Sequence, residues 1–186
     1  MSTLINLADF NSNPYTQTGG LFAQTANSLP ITATVVETTL LDGGVGSLSV
    51  PANAFKVGDS FVASLGGIIS CANNEGLQIK VKAGSIILGS TGGITMPQCT
   101  NQHWDLQIRF TVRTIGAAGV ASIASFGQFT FSKDAATAYE GSDFSSINNT
   151  TFNTTIGNTL NITAQWGSTN AANSIYSESF ILTKIY

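Results

Sequence analysis

Apolar and polar residues alternate one for one along several stretches of this chain. The longest is WDLQIRFTVR at 104–113, in which every second residue is apolar. Successive side chains of a β-strand point to opposite faces, so this pattern predicts a strand with one buried and one solvated face. GLQIKVK at 76–82 and TLNITAQW at 159–166 alternate in the same way. No window has helical periodicity beyond a turn or two, and the chain is therefore predicted to be all-β.

Turn-forming Gly and Asn residues separate the alternating stretches at nearly regular intervals. The strands expected from the pattern are 21–25, 31–40, 46–50, 60–70, 76–82, 85–89, 104–114, 120–131, 159–166 and 174–185. Two longer connections are expected at 90–103 and 132–150. Strands joined by both short and long crossings predict an antiparallel β-sandwich, a single jelly roll of about eight strands.

The length of 186 residues suits one domain with a core of its own. Residues 1–20 include the polar, turn-rich stretch SNPYTQTGG and are predicted to form an N-terminal arm, and residues 21–186 to form the single domain. Asn6, Asp9 and Asn11 interrupt the apolar residues at the N-terminus. We therefore expect no cleaved signal peptide.

The segment GSLSVPANAFKVGDSF at 46–61 predicts a corner between two strands. Pro51 stops the first strand, because proline has no N–H to donate to the ladder. We expect residues 51–57 to form one helical turn. Phe55 and Val57 are expected to cap the open end of the sandwich core.

The final segment, SIYSESFILTKIY, has apolar residues on both faces of the expected strand. One face carries Tyr176, Phe180, Leu182 and Tyr186, and the other carries Ile175, Ile181 and Ile185. A strand that is apolar on both faces is typically buried on both. This pattern predicts a subunit contact at the last strand.

Charged residues make up only 9 % of the chain, against about a quarter in ordinary domains. With seven basic residues and a net charge of −3, the chain lacks a phosphate track, so no nucleic-acid partner is expected. The densest basic set is interpreted as solvated strand faces: Lys80, Lys82, Arg109 and Arg113. No apolar run approaches roughly 18 residues, so no membrane insertion is expected.

Ser, Thr, Asn and Gln fill the outward positions that charged residues usually occupy. Burying a hydroxyl or an amide at an interface costs far less than burying an unpaired ion. Such a surface favours close packing against copies of itself. The same composition also suits sugar binding, in which amides and exposed aromatic rings such as Tyr139 or Tyr176 contact hydroxyl groups.

Catalytic chemistry is hard to place on this chain. His103 is the single histidine, and Asp105, two residues away on the same strand face, could orient its ring. Nucleophilic catalysis needs a base beside a nucleophile, and there is neither a GxSxG motif nor a cysteine next to His103. The chain is therefore predicted not to be an enzyme, with no catalytic residues.

Metal and cofactor sites are not predicted either. Cys71, Cys99 and His103 are too few for a zinc finger, and no phosphate-binding glycine motif occurs. KDAATAYEGSD at 133–143 offers acidic residues without EF-hand spacing, and its residues 134–141 are expected to form a helical turn. The two cysteines allow one disulfide at most, and we favour two buried or half-buried thiols.

Several segments resemble small single jelly-roll structural proteins of virions. They are GSLSVPANAFKVGDSF, NNEGLQIKVKAGSIIL, WDLQIRFTVRTIGAAGVASI with FGQFTF, and NTLNITAQWGSTNAANSIYSESFILTKIY, and the resemblance covers about residues 30–186. Vertex (penton) and minor capsid proteins of large icosahedral DNA viruses are examples. The resemblance implies a structural subunit located in the virion, without cofactor, that forms a pentamer and contacts other capsid proteins. It also implies that the N-terminal arm reaches inward.

A second resemblance is to trimeric heads of the tumour-necrosis-factor and complement type and to phage fibre tips. It implies a trimer that binds a host glycan or receptor through the loops at 90–103, 132–150 and 167–174, with Tyr139 or His103 in contact. A carbohydrate-active or cupin-like enzyme is a third hypothesis. A single histidine weakens it, because imidazole ligands are what a cupin metal site requires.

Overall fold

Two antiparallel β-sheets lie face to face and hold the apolar sides of the alternating strands between them. A computed structural model describes residues 19–134 and 139–186. The predicted all-β antiparallel sandwich is confirmed. Within the described ranges there is one 3-10 turn, Ala117–Gly119, and no helix long and apolar enough to cross a membrane.

In the described part of the chain, fourteen strand segments make up the two sheets. They are β1 (Gly19–Gln24), β2 (Ile31–Thr32), β3 (Thr38–Thr39), β4 (Gly44–Gly46), β5 (Ser49–Val50), β6 (Ser60–Cys71), β7 (Glu75–Ala83), β8 (Ile86–Ser90), β9 (Ile94–Met96), β10 (Cys99–Ile115), β11 (Val120–Ser132), β12 (Tyr139–Asn153), β13 (Asn158–Trp166) and β14 (Ser174–Lys184). The eight-stranded sheet has the order β12-β11-β10-β6-β14-β1-β4, with β2 paired to β14. The six-stranded sheet has the order β3-β13-β7-β8, with β5 paired to β13 and β9 to β7.

The core lies between the sheets and is built from the predicted alternation. On β6 and β10, every second residue is buried, and Leu65 lies directly opposite Leu106. The largest fully buried side chains are Trp166, Phe129, Phe152 and Phe180. The apolar halves of β7 and β13 face this core in the same manner, as the sequence predicted.

The predicted connection at 132–150 is wrong over most of its length, because residues 139–153 form β12. This strand pairs with β11 from Ser132↔Tyr139 to Val120↔Asn153. The helical turn expected at 134–141 is wrong at 139–141, which belong to β12, and residues 135–138 lie outside the described part of the chain. Alternation is weak here because β12 is an edge strand.

Three further boundaries differ from the prediction. The connection expected at 90–103 contains β9 and the first residues of β10, and the strand expected at 31–40 is reduced to the short pairs β2 and β3. Of the predicted arm, residues 1–18 lie outside the described residues, and Gly19 and Gly20 belong to β1.

The corner at 46–61 caps one end of the core with a single ring. Phe55 is buried and packs edge-on against Phe61 and Phe152, with ring centroids 6.1 and 5.2 Å apart. Val57 does not share this role, because its side chain is 59 % exposed. The residues after Pro51 form turns in place of the expected helical turn.

The last strand is apolar on both faces for a reason that the sequence did not reveal. A bulge at Glu178, between the pairs Ser177↔Gly67 and Ser179↔Gly66, reverses the phase of β14. Ile175 therefore points into the core before the bulge and Phe180 after it. The predicted face assignment is wrong for this strand, and Ile181, Ile185 and Tyr186 are exposed.

Candidate functional site

We call the side of the eight-stranded sheet that faces away from the core the outer face. Its central strands are β11, β10, β6 and β14. It presents Phe126, Gln128 and Thr130 from β11, Asp105, Gln107 and Arg109 from β10, Val62, Ser64 and Gly66 from β6, and Ser179, Ile181 and Thr183 from β14.

Cross-strand register places these side chains in rows. One row runs through Gln128, Gln107, Ser64 and Ile181. The Gln107 amide donates to the Ser64 hydroxyl and, at 3.1 Å, to Oδ2 of Asp105. The row thus carries an amide, a hydroxyl and an aliphatic chain side by side, with no formal charge.

Arg109 is the one basic residue in the central rows. It is exposed, pairs with Val62 on β6 and Phe126 on β11, and forms no ion pair with any residue the structure describes. Asp105 lies four residues away on the same strand, about 13 Å along β10. The three central rows therefore carry one positive and one negative group on opposite sides of Gln107, and Arg113 is also exposed, further along β10.

Beside Arg109 there is a shallow groove with an exposed aromatic ring. Gln107, Arg109, Phe126 and Gln128 line it, and the Phe126 side chain is 48 % exposed. An aromatic ring flanked by amides suits contact with a protein surface or with the hydroxyl groups of a sugar.

Lys80 and Lys82 of β7, which were predicted to lie on a solvated strand face, form ion pairs. Nζ of Lys80 and Nζ of Lys82 bind the two oxygens of Glu37 at 2.6 and 2.8 Å, and Thr163 Oγ1 donates to the same carboxylate at 3.0 Å. The hydrogen bonds from Lys80 and Lys82 lower the pKa of Glu37 to about 2. Glu37 was missed because nothing in the sequence connects it to β7.

A cavity of about 240 Å³ lies between the sheets near the corner at 46–61. Its lining is mostly apolar and includes Leu48, Ala83 and Leu160. Asp59 and Lys184 also line it, and they form an ion pair of 2.6 Å between Oδ1 and Nζ. The cavity is thus lined by apolar side chains and by one ion pair, Asp59 with Lys184, whose charges neutralise each other.

The structure places His103 and Asp105 on the outer face of β10, the shared strand face that the sequence predicted. Cys71 of β6 and Cys99 of β10 point into the core, so neither thiol faces His103. His103 lies beside Ile68, which in turn pairs with Tyr176. Within the described ranges, no group of three or more His, Cys, Asp or Glu residues could hold a metal ion.

Cys71 and Cys99 are buried thiols that face each other across β6 and β10. Their Sγ atoms are 3.4 Å apart, and no disulfide joins them. The hydrogen bond to Cys99 and burial raise the pKa of the Cys71 thiol. The favoured interpretation of two ordinary buried thiols agrees with this arrangement.

The acidic residues near 133–143 make separate contacts. Asp134 accepts hydrogen bonds from the backbone N–H of Thr100 at 2.7 Å and from Gln102 at 3.0 Å, and the Thr100 contact holds its pKa below the ordinary value. Glu140 binds Lys133 at 2.6 Å. Tyr139, the aromatic residue considered for sugar contact, is 79 % exposed at the start of β12.

No protein-family model matches this chain, and a comparison with curated proteins gives no match.

Proposed function

We propose that this chain is a structural virion protein, a capsid vertex (penton) or minor capsid subunit. In this role it acts through homo-oligomeric assembly and through contacts with neighbouring capsid proteins. The observation that carries the proposal is the outer face, a wide strand surface whose central rows hold ten uncharged residues beside Asp105 and Arg109.

The chemistry of the outer face supports assembly because little must be desolvated to cover it. Serine, glycine, threonine and glutamine dominate its central rows, and two large apolar side chains, Phe126 and Ile181, are each about half exposed. Protein interfaces are depleted of charged residues at their centre and enriched in aromatic ones. A face of this composition loses little hydration free energy when a second protein covers it.

The strand order supports a jelly roll. β6 lies between β10 and β14, and β14 lies beside β1, so distant parts of the chain are neighbours in one sheet. The chain also crosses from β12 in the eight-stranded sheet to β13 in the six-stranded sheet. Such crossings between two antiparallel sheets are typical of Greek-key connections, from which jelly rolls are built.

The assignment to a virion is supported by the resemblance of residues 30–186 to single jelly-roll capsid proteins. In a vertex role, copies would form a closed ring through head-to-tail contacts, which generate rings when the rotation closes. The predicted arm at 1–20 would then contact neighbouring capsid proteins or an inner layer.

Sedimentation velocity over a range of concentrations, followed by electron microscopy of the largest species, tests this proposal. We expect a defined oligomer, and five-fold rotational symmetry supports a vertex role. A chain that remains monomeric at about 1 mM contradicts assembly, because this concentration would reveal even millimolar association.

A trimeric receptor- or glycan-binding head is the second candidate. The groove beside Phe126, with its amides from Gln107 and Gln128, is the observation that favours it. A glycan array with the native chain and with Phe126→Ala, Tyr139→Ala and His103→Ala tests this role. Selective binding that is lost in one of these variants, together with three-fold symmetry, would favour the head over the capsid subunit.

A further inference from the structure

We propose that the outer face pairs with the outer face of a second copy of this chain. A two-fold axis relates the two copies. It lies between their outer faces, is perpendicular to the strands and passes close to Gln107 of β10. This inference rests on the proposed function in one respect, namely that the chain associates with copies of itself.

The distribution of charge on β10 indicates this axis. A two-fold rotation across the strands reverses their direction, so residues before Gln107 in one copy lie over residues after it in the other. Arg109 follows Gln107 by two residues, and Asp105 precedes it by two. Each Arg109 therefore lies over Asp105 of the second copy, and two ion pairs form beside the axis, while Arg113 and Glu178 lie further from it on β10 and β14.

Uncharged groups of the row on the axis meet their own copies. Gln107 lies over Gln107, and a hydrogen bond between the two amides forms when each exchanges its bond to Ser64 or Asp105 for one to the second copy. Ile181, which is 49 % exposed, lies over Ile181 of the second copy and loses its contact with water. Ser64, between them, is small enough to let the sheets approach.

The dimensions of the face fit a stable dimer. Sheets that pack face to face lie about 10 Å apart, a gap that one long and one short side chain can bridge. About an axis at the row of Gln107 and Ser64, β6 overlaps its copy over nine residues, 60–68, and four strands of this length spaced about 4.8 Å apart present about 570 Å². β10 extends further on both sides of the axis, and β1 and β12 add width, so the area approaches the roughly 800 Å² that a standard interface buries on each partner.

Small residues extend the close approach along the face. Gly66 on β6 lies between Asp105 and Ser179. Because glycine has no side chain, the second copy can approach the Asp105 carboxylate closely at this point. Asp143 pairs with Gln128 from the edge strand β12, outside the four central strands. Because Asp143 belongs to the row on the axis, it faces Asp143 of the second copy, and this like-charge pair stays at the rim of the contact, where water screens the repulsion.

Charge reversal in single and mixed variants tests the contact. In Arg109→Glu each copy presents two acidic groups at the contact, and in Asp105→Arg two basic groups, so like charges face each other. We expect each single variant to raise the dissociation constant of the native dimer at least about tenfold. The double variant Asp105→Arg/Arg109→Glu exchanges the two charges and is expected to dimerise as the native chain does.

A mixture of the two single variants gives the sharpest result. The acidic side chain introduced in one variant lies over the basic side chain introduced in the other, and native Asp105 of the first lies over native Arg109 of the second. We expect the mixed dimer to form more tightly than either variant alone, measured by fluorescence anisotropy with one variant labelled. Lys56→Glu, in the turn before β6, is the control of equal charge change off the outer face.

Circular dichroism and thermal melting of each variant verify that the exposed substitutions leave the fold intact. If the native chain associates but all variants stay within about twofold of its dissociation constant, this contact is wrong and the proposed assembly role stands. An effect of Lys56→Glu as large as that of Arg109→Glu also overturns the contact. A native chain that stays monomeric overturns both the contact and homo-oligomeric assembly.

Discussion

The ring of Phe144 on β12 covers the backbone of Gly127, which lies directly opposite it on β11. The same ring lies against Gly89 on β8, a strand of the other sheet. A Cβ atom on either glycine would overlap the ring. Phe144 is therefore held between two glycines and links the edge strand β12 to both sheets of the sandwich.

We expect Gly127→Ala and Gly89→Ala to lower the free energy of unfolding by about 1–3 kcal/mol, because the added methyl group displaces the ring of Phe144. Urea denaturation measures the effect. Gly93→Ala is the matched control, since a Cβ there meets no atom within 4 Å. If the Gly127→Ala midpoint equals that of Gly93→Ala, the ring does not depend on this glycine.

Glu37 makes the free energy of unfolding depend on pH in acidic solution. Its pKa in the folded chain is lowered to about 2, mainly by the hydrogen bond from Lys80, whereas in the unfolded chain it titrates near about 4.3. Its contribution is thus fully present above about pH 4.3 and is lost as the pH falls towards 2. We expect Glu37→Gln to cost about 1–2 kcal/mol at pH 6.

The difference in unfolding free energy between Glu37→Gln and the native chain is expected to shrink as the pH falls from 6 to about 2, because the native carboxylate becomes protonated. Urea denaturation at several pH values measures it. A difference that stays constant through this window would show that the contacts of Glu37 with Lys80 and Lys82 do not persist in solution.

Filling the cavity between the sheets is expected to stabilise the chain. Ala83 lines the cavity, so Ala83→Val adds two methyl groups to unfilled space and should raise the free energy of unfolding by about 0.5–1 kcal/mol. Ala63→Val is the matched control, because Ala63 is fully buried in the packed part of β6. There the same change should destabilise by about 1–3 kcal/mol. Equal effects at both positions would mean that the cavity closes in solution.

Cys71 and Cys99 should resist modification in the folded chain. Burial keeps a reagent away from both sulfur atoms, and the raised pKa of the Cys71 thiol also leaves little of that residue as thiolate. We expect a water-soluble alkylating reagent to label them slowly under native conditions and quickly in denaturant, as measured by mass spectrometry. Complete native labelling at the rate found in denaturant would contradict the buried pair.

The fold could be predicted where a strand has one face in the core and one in solvent. The alternation of β10 and β13 reports this geometry directly, and both strands were found as expected. On the edge strand β12, Phe144 and Phe152 are the large apolar residues that point inward, and serines, asparagines and threonines fill most of the other positions, so the period-two signal is lost. The bulge at Glu178 produced the opposite error, because a change of phase resembles burial on both faces.

The sequence predicted which residue types the outer face would carry, but not which of them would lie next to each other across the strands. A scarcity of charge on outward positions was evident from the sequence, and the outer face shows it. The register that brings Gln107, Ser64 and Ile181 into one row depends on pairing between strands far apart in the chain. For the same reason, the contacts of Glu37 with Lys80 and Lys82 of β7 could not be predicted, because these residues are far apart in the chain.

The position of β14 between β1 and β6 has a consequence for synthesis on the ribosome. β1 and β6 leave the exit tunnel long before β14, yet they cannot become parts of one continuous sheet until β14 has emerged to lie between them. Until then, their edges are open to incorrect pairing with other nascent chains. Release of the last strand, rather than the speed of local folding, therefore sets the earliest moment at which the sandwich closes.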